Sequence, residues 1–521
     1  MNRIKNWVII LITFLVVSVK AEIVYNVLDF GAKSNGSEKC TEAIRMAVKK
    51  ASDNGGGTVY FPAGQYLTGP VYLKSNITMY IDAGAYIKFS NDFNDYLPMV
   101  PSRWEGTDVT NFSPLFYAYE EENITITGRG TIDGQGRKWW DTFFKLQKMV
   151  NDTVTPWQKE FAEQNKDILL PDDTNMIKLG FLRPPFIQPM YCKNILIQGI
   201  TIVNSPFWTV NPEYCDNITI TGITINNPES PNTDGINPES CSNVHISDCH
   251  ISVGDDCITI KSGKDAPGRK MARPAENYTI TNCTMLSGHG GVVIGSEMSG
   301  SVKKIVISNC VFDGTDRGIR IKSTRGRGGV VEDVQVSNIV AKNIKREFFM
   351  FNLMYSKTQP EPVSERTPQF RNIHISNVTG NARQLCAIMG LDEMPVNDLS
   401  FNDIDVDAKL GFTIINATNI RLNNIQLSVE TGPAVNVENS EMIEINGIKN
   451  ISPVKNIPVI EMKNVKESFI YNCYQSVQTD IFLSVDGPET ENIFLGNNRQ
   501  HLTKNLVVKG GALKKGAVVV K

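Results

Sequence analysis

The sequence predicts an all-β fold: a single-stranded right-handed parallel β-helix with an N-terminal helical cap and a long insertion. Two observations carry that expectation. A short phrase of the form N-[IV]-x-[IV]-x-[NDG]-apolar returns from Asn194 to Asn492, at intervals of 21 to 39 residues. Cysteines Cys249, Cys283, Cys310 and Cys473 fall at one fixed place within it, six residues after the opening residue of their copy. A period of 20–50 residues built from short strands is the mark of a solenoid.

The copies justify the strands. They read "NILIQGI" at Asn194, "NITITGI" at Asn217, "NVHISDC" at Asn243 and "NYTITNC" at Asn277, and continue to "NIFLGNN" at Asn492. An earlier copy, "NITITGR", opens at Asn123. Each alternates apolar and polar side chains, the period of a strand with one buried face. The repeats lack 3.6-residue periodicity, which excludes helical solenoids, and leucine is scarce at their apolar places, which excludes leucine-rich repeats. Stacked coils lie about 4.8 Å apart along the axis. The recurrent asparagines suit turns, where stacked amides satisfy one another and the backbone. The cysteine place points inward, so free core thiols are the first reading and a disulfide between ladder neighbours the second. No cysteine or histidine cluster has zinc-ligand spacing.

The ends and the insertion follow from departures from the repeat. Residues 1–21 carry a basic start, the apolar run "WVIILITFLVVSV" and a small-residue cleavage site after Ala21. They read as a signal peptide, with a periplasmic or extracellular mature chain and no membrane span. Residues 22–100 read as cap and first coils, "EAIRMAVKKASD" being the cap helix. Residues 101–521 read as the β-helix domain. The interval from Asn123 to Asn194, 71 residues, is too long for one coil. It contains "RKWWDTFFKLQKMV" at helical spacing, so residues 137–190 read as an insertion folded over the side of the solenoid. A net charge of −3 gives no electrostatic footprint for nucleic acid.

The chemistry emerges when four coils are aligned on a shared serine: "TDGINPES", "DDCITIKS", "HGGVVIGS" and "DRGIRIKS". Asp234 and Asp256 then share a column, and Asp255 and His289 share the next. Arg320 and Lys322 stand within about three rungs. Three acids, an imidazole and two cations on one face weaken a strand but suit glycoside hydrolysis. That reaction needs one protonated carboxyl for the leaving oxygen and one ionised carboxyl to activate water. Crowding of like charges raises one pKa and keeps a proton in place. The cations suit the carboxylate of an anionic sugar.

The motifs "NTDG" (232–235), "GDD" (254–256), "GHG" (288–290) and "RIK" (320–322), in this order, resemble the polygalacturonases, family 28 of the glycoside hydrolases. The resemblance extends to the N-terminal "DFGA…FPAGQY" and spans nearly the whole mature chain. It implies a right-handed β-helix and inverting hydrolysis of α-1,4-linked galacturonate in pectic polysaccharide or oligogalacturonide, without metal or other cofactor. By motif, Asp255 is the expected general acid, and Asp234 and Asp256 hold and deprotonate the attacking water. His289 tunes the acid, while Arg320 and Lys322 bind the sugar carboxylate. Tyr355 and Asn232 are expected at the substrate subsites. Similar insertions in bacterial-type members accompany removal of terminal galacturonate, so exo action is expected.

Several residues keep two readings. Trp139 and Trp140 either stack on sugar rings or are buried beneath the insertion. Glu239 and Lys261 either flank the subsites or pair with each other. Arg325 and Arg327 either reach further sugar carboxylates or form an ordinary basic loop. Rival functions are a lyase that eliminates across the bond with Ca²⁺, hydrolysis of rhamnogalacturonan, and a non-catalytic glycan-binding solenoid.

Overall fold

The computed structural model describes residues 23–148, 154–172, 174–229 and 231–521. The leader expected over residues 1–21 lies outside them. The chain winds into a parallel β-helix, the predicted class. One ladder passes in register through Val24, Thr58, Thr78, Thr125, Leu196 and Thr219. It continues rung by rung to Phe494 and Val519. It crosses residue 100 without a break, so the first coils and the later ones form one stack. Helix α1, Thr41–Asp53, caps the first coils by burying Ala43, Ile44, Ala47, Val48 and Ala51.

The repeat phrase encodes corners as well as strands. Its opening residue is left-handed in every copy, from Asn123 (φ 58°) through Asn194 (57°) and Asn277 (64°) to Asn492 (55°). Asparagine tolerates that conformation better than other side chains. Its amide then reaches the coil before it: Asn194 donates to Asn123 at 2.9 Å, and Asn217 to Asn194 at 2.8 Å. The sixth place is also as expected, since Cys249, Cys283, Cys310 and Cys473 are all at most 1% exposed. Among the described residues all ten cysteines are free thiols and buried. A second sulfur column escaped the sequence reading: Cys192 N–H donates to Cys215 Sγ, and Cys215 N–H to Cys241 Sγ, each at 3.3 Å.

The insertion differs from expectation at its C-terminal end. Helices α2 (Arg137–Lys148), α3 (Pro156–Gln164) and α4 (Asn175–Leu179) lie within it. The strand Ile187–Met190, placed inside the insertion by the sequence, is a rung of the solenoid that pairs with Phe116–Tyr119. A further excursion precedes it, an antiparallel hairpin of Val100–Trp104 and Thr107–Asn111. Its two-residue turn, Glu105–Gly106, has φ of 42° and 83°, the twist a tight hairpin needs. An aromatic cluster locks these parts together: the Trp139 ring packs on Phe93 (4.4 Å), Tyr96 (5.1 Å), Phe112 (5.2 Å) and Phe181 (5.9 Å). Trp139 and Trp140 are both buried, and Trp140 Nε1 donates to Ser205 O. Burial is therefore the correct reading of the tryptophan pair. Among the described residues no helix is long and apolar enough to cross a membrane.

Candidate active site

One face of the solenoid is a ladder through Ile187, Val210, Ile236, Ile258, Val292, Ile319 and Phe349. These residues point inward and are at most 1% exposed, so their neighbours point out. The register confirms both columns read from the sequence. Ile236 faces Ile258, which sets Asp234 beside Asp256, and Gly235 N–H donates to Asp256 O. Asp256 faces Gly290, which sets Asp255 beside His289, and His289 N–H donates to Asp255 O at 2.8 Å. Arg320 and Lys322 follow on the next strand, Ile319–Lys322.

A cleft of about 500 Å³ runs over these rungs, and Asp234, Asp255, Asp256, His289, Arg320, Lys322, Tyr355 and Asn232 all line it. Every site residue expected from the sequence is thus gathered in one place. A larger groove, about 810 Å³, lies one step towards the N-terminal coils beside α2. Its Asp133 is bound by Tyr86 and Asn204, and it has no histidine or paired acids facing each other. The chemistry belongs to the smaller cleft.

Each acid has a different environment. Asp234 is 3% exposed, accepts from Asn237 Nδ2 (2.9 Å) and Thr259 Oγ1 (3.0 Å), and faces Lys261 Nζ at 3.9 Å. Burial, then the nearby Asp255 charge, pushes its carboxyl well above the usual carboxylate range. Asp256 meets Lys322 Nζ at 3.1 Å and Arg320 Nη1 at 3.9 Å. Asp255 accepts from His289 Nδ1 at 3.0 Å and more weakly from Asn232 Nδ2 at 3.4 Å. Burial works to raise Asp255, but the hydrogen bond and charge of His289 outweigh it and hold the carboxyl below its ordinary value. The same contact raises His289. Burial, with crowding second, therefore raises one acid, and that acid is Asp234. The His289 contact holds Asp255 low instead.

The cations are less free than the sequence suggested. Arg320 and Lys322 are 8% and 7% exposed and already face Asp256. The Tyr355 ring covers both, at 5.5 Å from the Arg320 guanidinium carbon and 5.4 Å from Lys322 Nζ. Arg320 Nε is buried without a hydrogen-bond partner among the described residues, which leaves a donor for an anionic ligand. Arg325 is spent on Glu393 and Arg327 on Asp265, although Arg327 also lines the cleft. Lys261 lines the cleft and Glu239 does not, and the two do not pair. Lys261 bonds Glu297 at 2.6 Å, and Glu239 meets Arg103 at 3.2 Å. Their backbones face each other across a parallel bridge, but their side chains reach into different coils.

Several residues in or beside the cleft are absent from the sequence expectation. Glu297 follows the aligned serine by one place, where no motif marked it. Trp208 supports Lys261, whose Nζ lies 4.6 Å from its ring. Glu105 stands at the hairpin tip. Arg183, behind the cleft, donates to Asn232 Oδ1 at 2.8 Å and to Pro206 O and Pro231 O. Burial brings its guanidinium down to about 9. The last three come from outside the acid-bearing rungs, where alignment of coils has no grip.

Residues 173–431 match the family model of Glycosyl hydrolases family 28, and residues 24–156 match that of Rhamnogalacturonase A/epimerase, pectate lyase-like. A probable polygalacturonase of Vitis vinifera is 30% identical over 392 residues, which are 73% of this chain and 74% of the relative. The chain belongs to family 28 of the glycosyl hydrolases. It is a glycoside hydrolase. An endo-polygalacturonase of Pectobacterium carotovorum subsp. carotovorum is 28% identical, over 73% of this chain and 88% of that protein. The crystal structure of a hyperthermoactive exopolygalacturonase from Thermotoga maritima has a TM-score of 0.67 and 34% identity. It covers 77% of this chain and 92% of that one.

Proposed function

We propose that this family 28 hydrolase cleaves α-1,4-galacturonosyl linkages of polygalacturonate with inversion, releasing sugar from chain ends. The observation that carries the reading is the convergence of Asp234, Asp255 and Asp256 in one cleft, Asp255 bound to His289 and Asp256 bound to two cations. The relatives act as polygalacturonases by name, and the 34% identical structure is an exo-acting one. The sequence supports export through residues 1–21, which would bring the mature chain to extracellular pectin.

Asp255 protonates the leaving oxygen. Across their 3.0 Å contact Asp255 is held below its ordinary value and His289 is raised, which favours the proton on His289. A sugar that displaces water makes the separated charges costlier, and the proton moves to the carboxyl as a neutral pair. Asp234 and Asp256 hold water between adjacent rungs, and Asp256, fixed by Lys322 at 3.1 Å, accepts the water's proton. Arg320 and Lys322 direct their remaining donors to the sugar carboxylate.

Two measurements test this. A digest of de-esterified polygalacturonate with chelator present should yield new reducing ends without absorbance near 235 nm. Ultraviolet-absorbing product that appears only with Ca²⁺ would replace hydrolysis by elimination. Lys322→Met should lower kcat/KM about 10- to 100-fold through KM, as expected for one charge-assisted contact of about 1.5–3 kcal/mol, with a further fall in kcat because Asp256 loses its 3.1 Å partner. On methyl-esterified substrate, which lacks the anion, the KM difference between variant and parent should close while the kcat loss stays. An undiminished KM gap there would remove Lys322 from carboxylate binding.

A further inference from the structure

The acids occupy the middle of the cleft. Arg320, Lys322 and Tyr355 stand on the C-terminal side, where the half-exposed Tyr355 leaves the groove open. The other side is closed by parts that do not belong to the acid-bearing rungs. The hairpin tip Glu105–Gly106 reaches across the solenoid and meets the loop before α5 (Asp265–Met271): Lys264 N–H donates to Gly106 O at 3.3 Å. Three contacts make the tip rigid. Trp104 stacks on Phe207 at 3.9 Å, Arg103 Nη2 donates to Gly106 O at 3.2 Å, and the same guanidinium meets Glu239 at 3.2 Å.

Glu105 lines the cleft from this tip. Among the described residues its carboxylate has an ion pair with Lys264 at 3.7 Å, longer than a hydrogen bond, and accepts no hydrogen bond. Burial pushes the Glu105 carboxyl up. A carboxyl group so placed repels another uronate carboxylate and accepts readily from a hydroxyl.

The polarity of the cleft decides which hydroxyl. His289, which loads the acid, stands one rung to the C-terminal side of Asp255. Asp234, one of the two water-holding acids, stands one rung to the N-terminal side of Asp256. The leaving group therefore departs towards Arg320 and Lys322, and the attacked sugar lies towards Glu105. Resting on the proposed roles of the acids, we infer that Glu105 accepts a hydrogen bond from the free 4-hydroxyl of the non-reducing terminal sugar. An internal sugar has lost that hydroxyl to its linkage. Glu105 thus reads the chain end, and the rigid hairpin stops a longer chain from passing.

The test compares trigalacturonate with its 4,5-unsaturated counterpart, which lacks the terminal 4-hydroxyl. A site built to bond a hydroxyl rejects the analogue without it strongly, so the parent should favour the saturated trimer by on the order of 100-fold or more in kcat/KM. Glu105→Ala should shrink that preference below about 10-fold by losing rate on the saturated trimer alone. Glu105→Gln, which keeps an acceptor oxygen, should retain most of it. An active parent whose preference persists in Glu105→Ala overturns this inference and leaves the hydrolase standing. A parent inert on the saturated trimer overturns the hydrolase reading and this inference with it.

Discussion

Replacing Asp255 with asparagine should reduce kcat on polygalacturonate about 1,000-fold or more while leaving substrate affinity within a few-fold. General acid catalysis is worth about 10²–10⁴ in rate, and a sugar leaving group without a proton is poor. The change keeps the shape of the side chain and one acceptor for His289. Asp255 is partly exposed, its carboxylate 20% so, and its removal leaves no buried charge behind. The fold should therefore survive, and the variant should still bind oligogalacturonides by calorimetry. A second readout separates chemistry from simple damage. His289 owes its raised pKa first to the Asp255 hydrogen bond and then to its charge. In Asp255→Asn an NMR titration should return the imidazole towards its ordinary value. The parent holds the His289 proton to higher pH, so a lower midpoint in the variant is the required sign. A variant that keeps more than a tenth of the parental kcat would deny Asp255 the role of acid.

The coils were legible in the sequence because each reuses one local solution. Left-handed corners favour asparagine, one buried face forces alternation, and inward places accept small thiols. A pattern imposed by local sterics recurs wherever the geometry does, and so it can be counted. Those same columns made the site legible, since parallel stacking turns sequence register into spatial adjacency: Asp234 over Asp256, Asp255 over His289. What the register could not supply was anything arriving sideways. Glu105 and Arg183 come from segments with no repeat to align, and Trp208 lies on a rung where only the hydrophobic face had a pattern. Side-chain partners within a column were equally hidden. Glu239 and Lys261 are backbone neighbours, yet Lys261 reaches Glu297 at 2.6 Å and Glu239 reaches Arg103 at 3.2 Å. The tuning of the acids followed from such partners too, which is why burial raises Asp234 while His289 holds Asp255 low.

The largest effect on stability should come from a residue that touches no substrate. Arg103 is 1% exposed and meets Glu239 at 3.2 Å, Asp108 at 3.7 Å and Glu213 at 3.8 Å, with its guanidinium 4.4 Å from the Tyr214 ring. Burial and the neighbouring Glu239 push Glu213 well above the ordinary range, and burial also raises Glu239 against the pull of Arg103. Removing one partner of a buried pair costs about 3–5 kcal/mol, because the other charge stays behind. Arg103→Met should lower the unfolding free energy by an amount of that order at pH 7, read as a lower urea midpoint with little change in the slope. The pH dependence identifies the cause. Without Arg103 the folded pKa of Glu239 rises further, so the folded state must hold a proton that the unfolded state has released. That penalty is absent below the unfolded glutamate pKa and grows by about 1.4 kcal/mol per pH unit above it, up to the folded value. The deficit should therefore be smaller at pH 5 than at pH 7, and Glu239→Gln in the same chain should recover much of it. Equal deficits at both pH values would assign the loss to packing against Tyr214 instead. Because Arg103 also holds Gly106, the variant should lose discrimination between saturated and unsaturated trimers even under conditions where it remains folded.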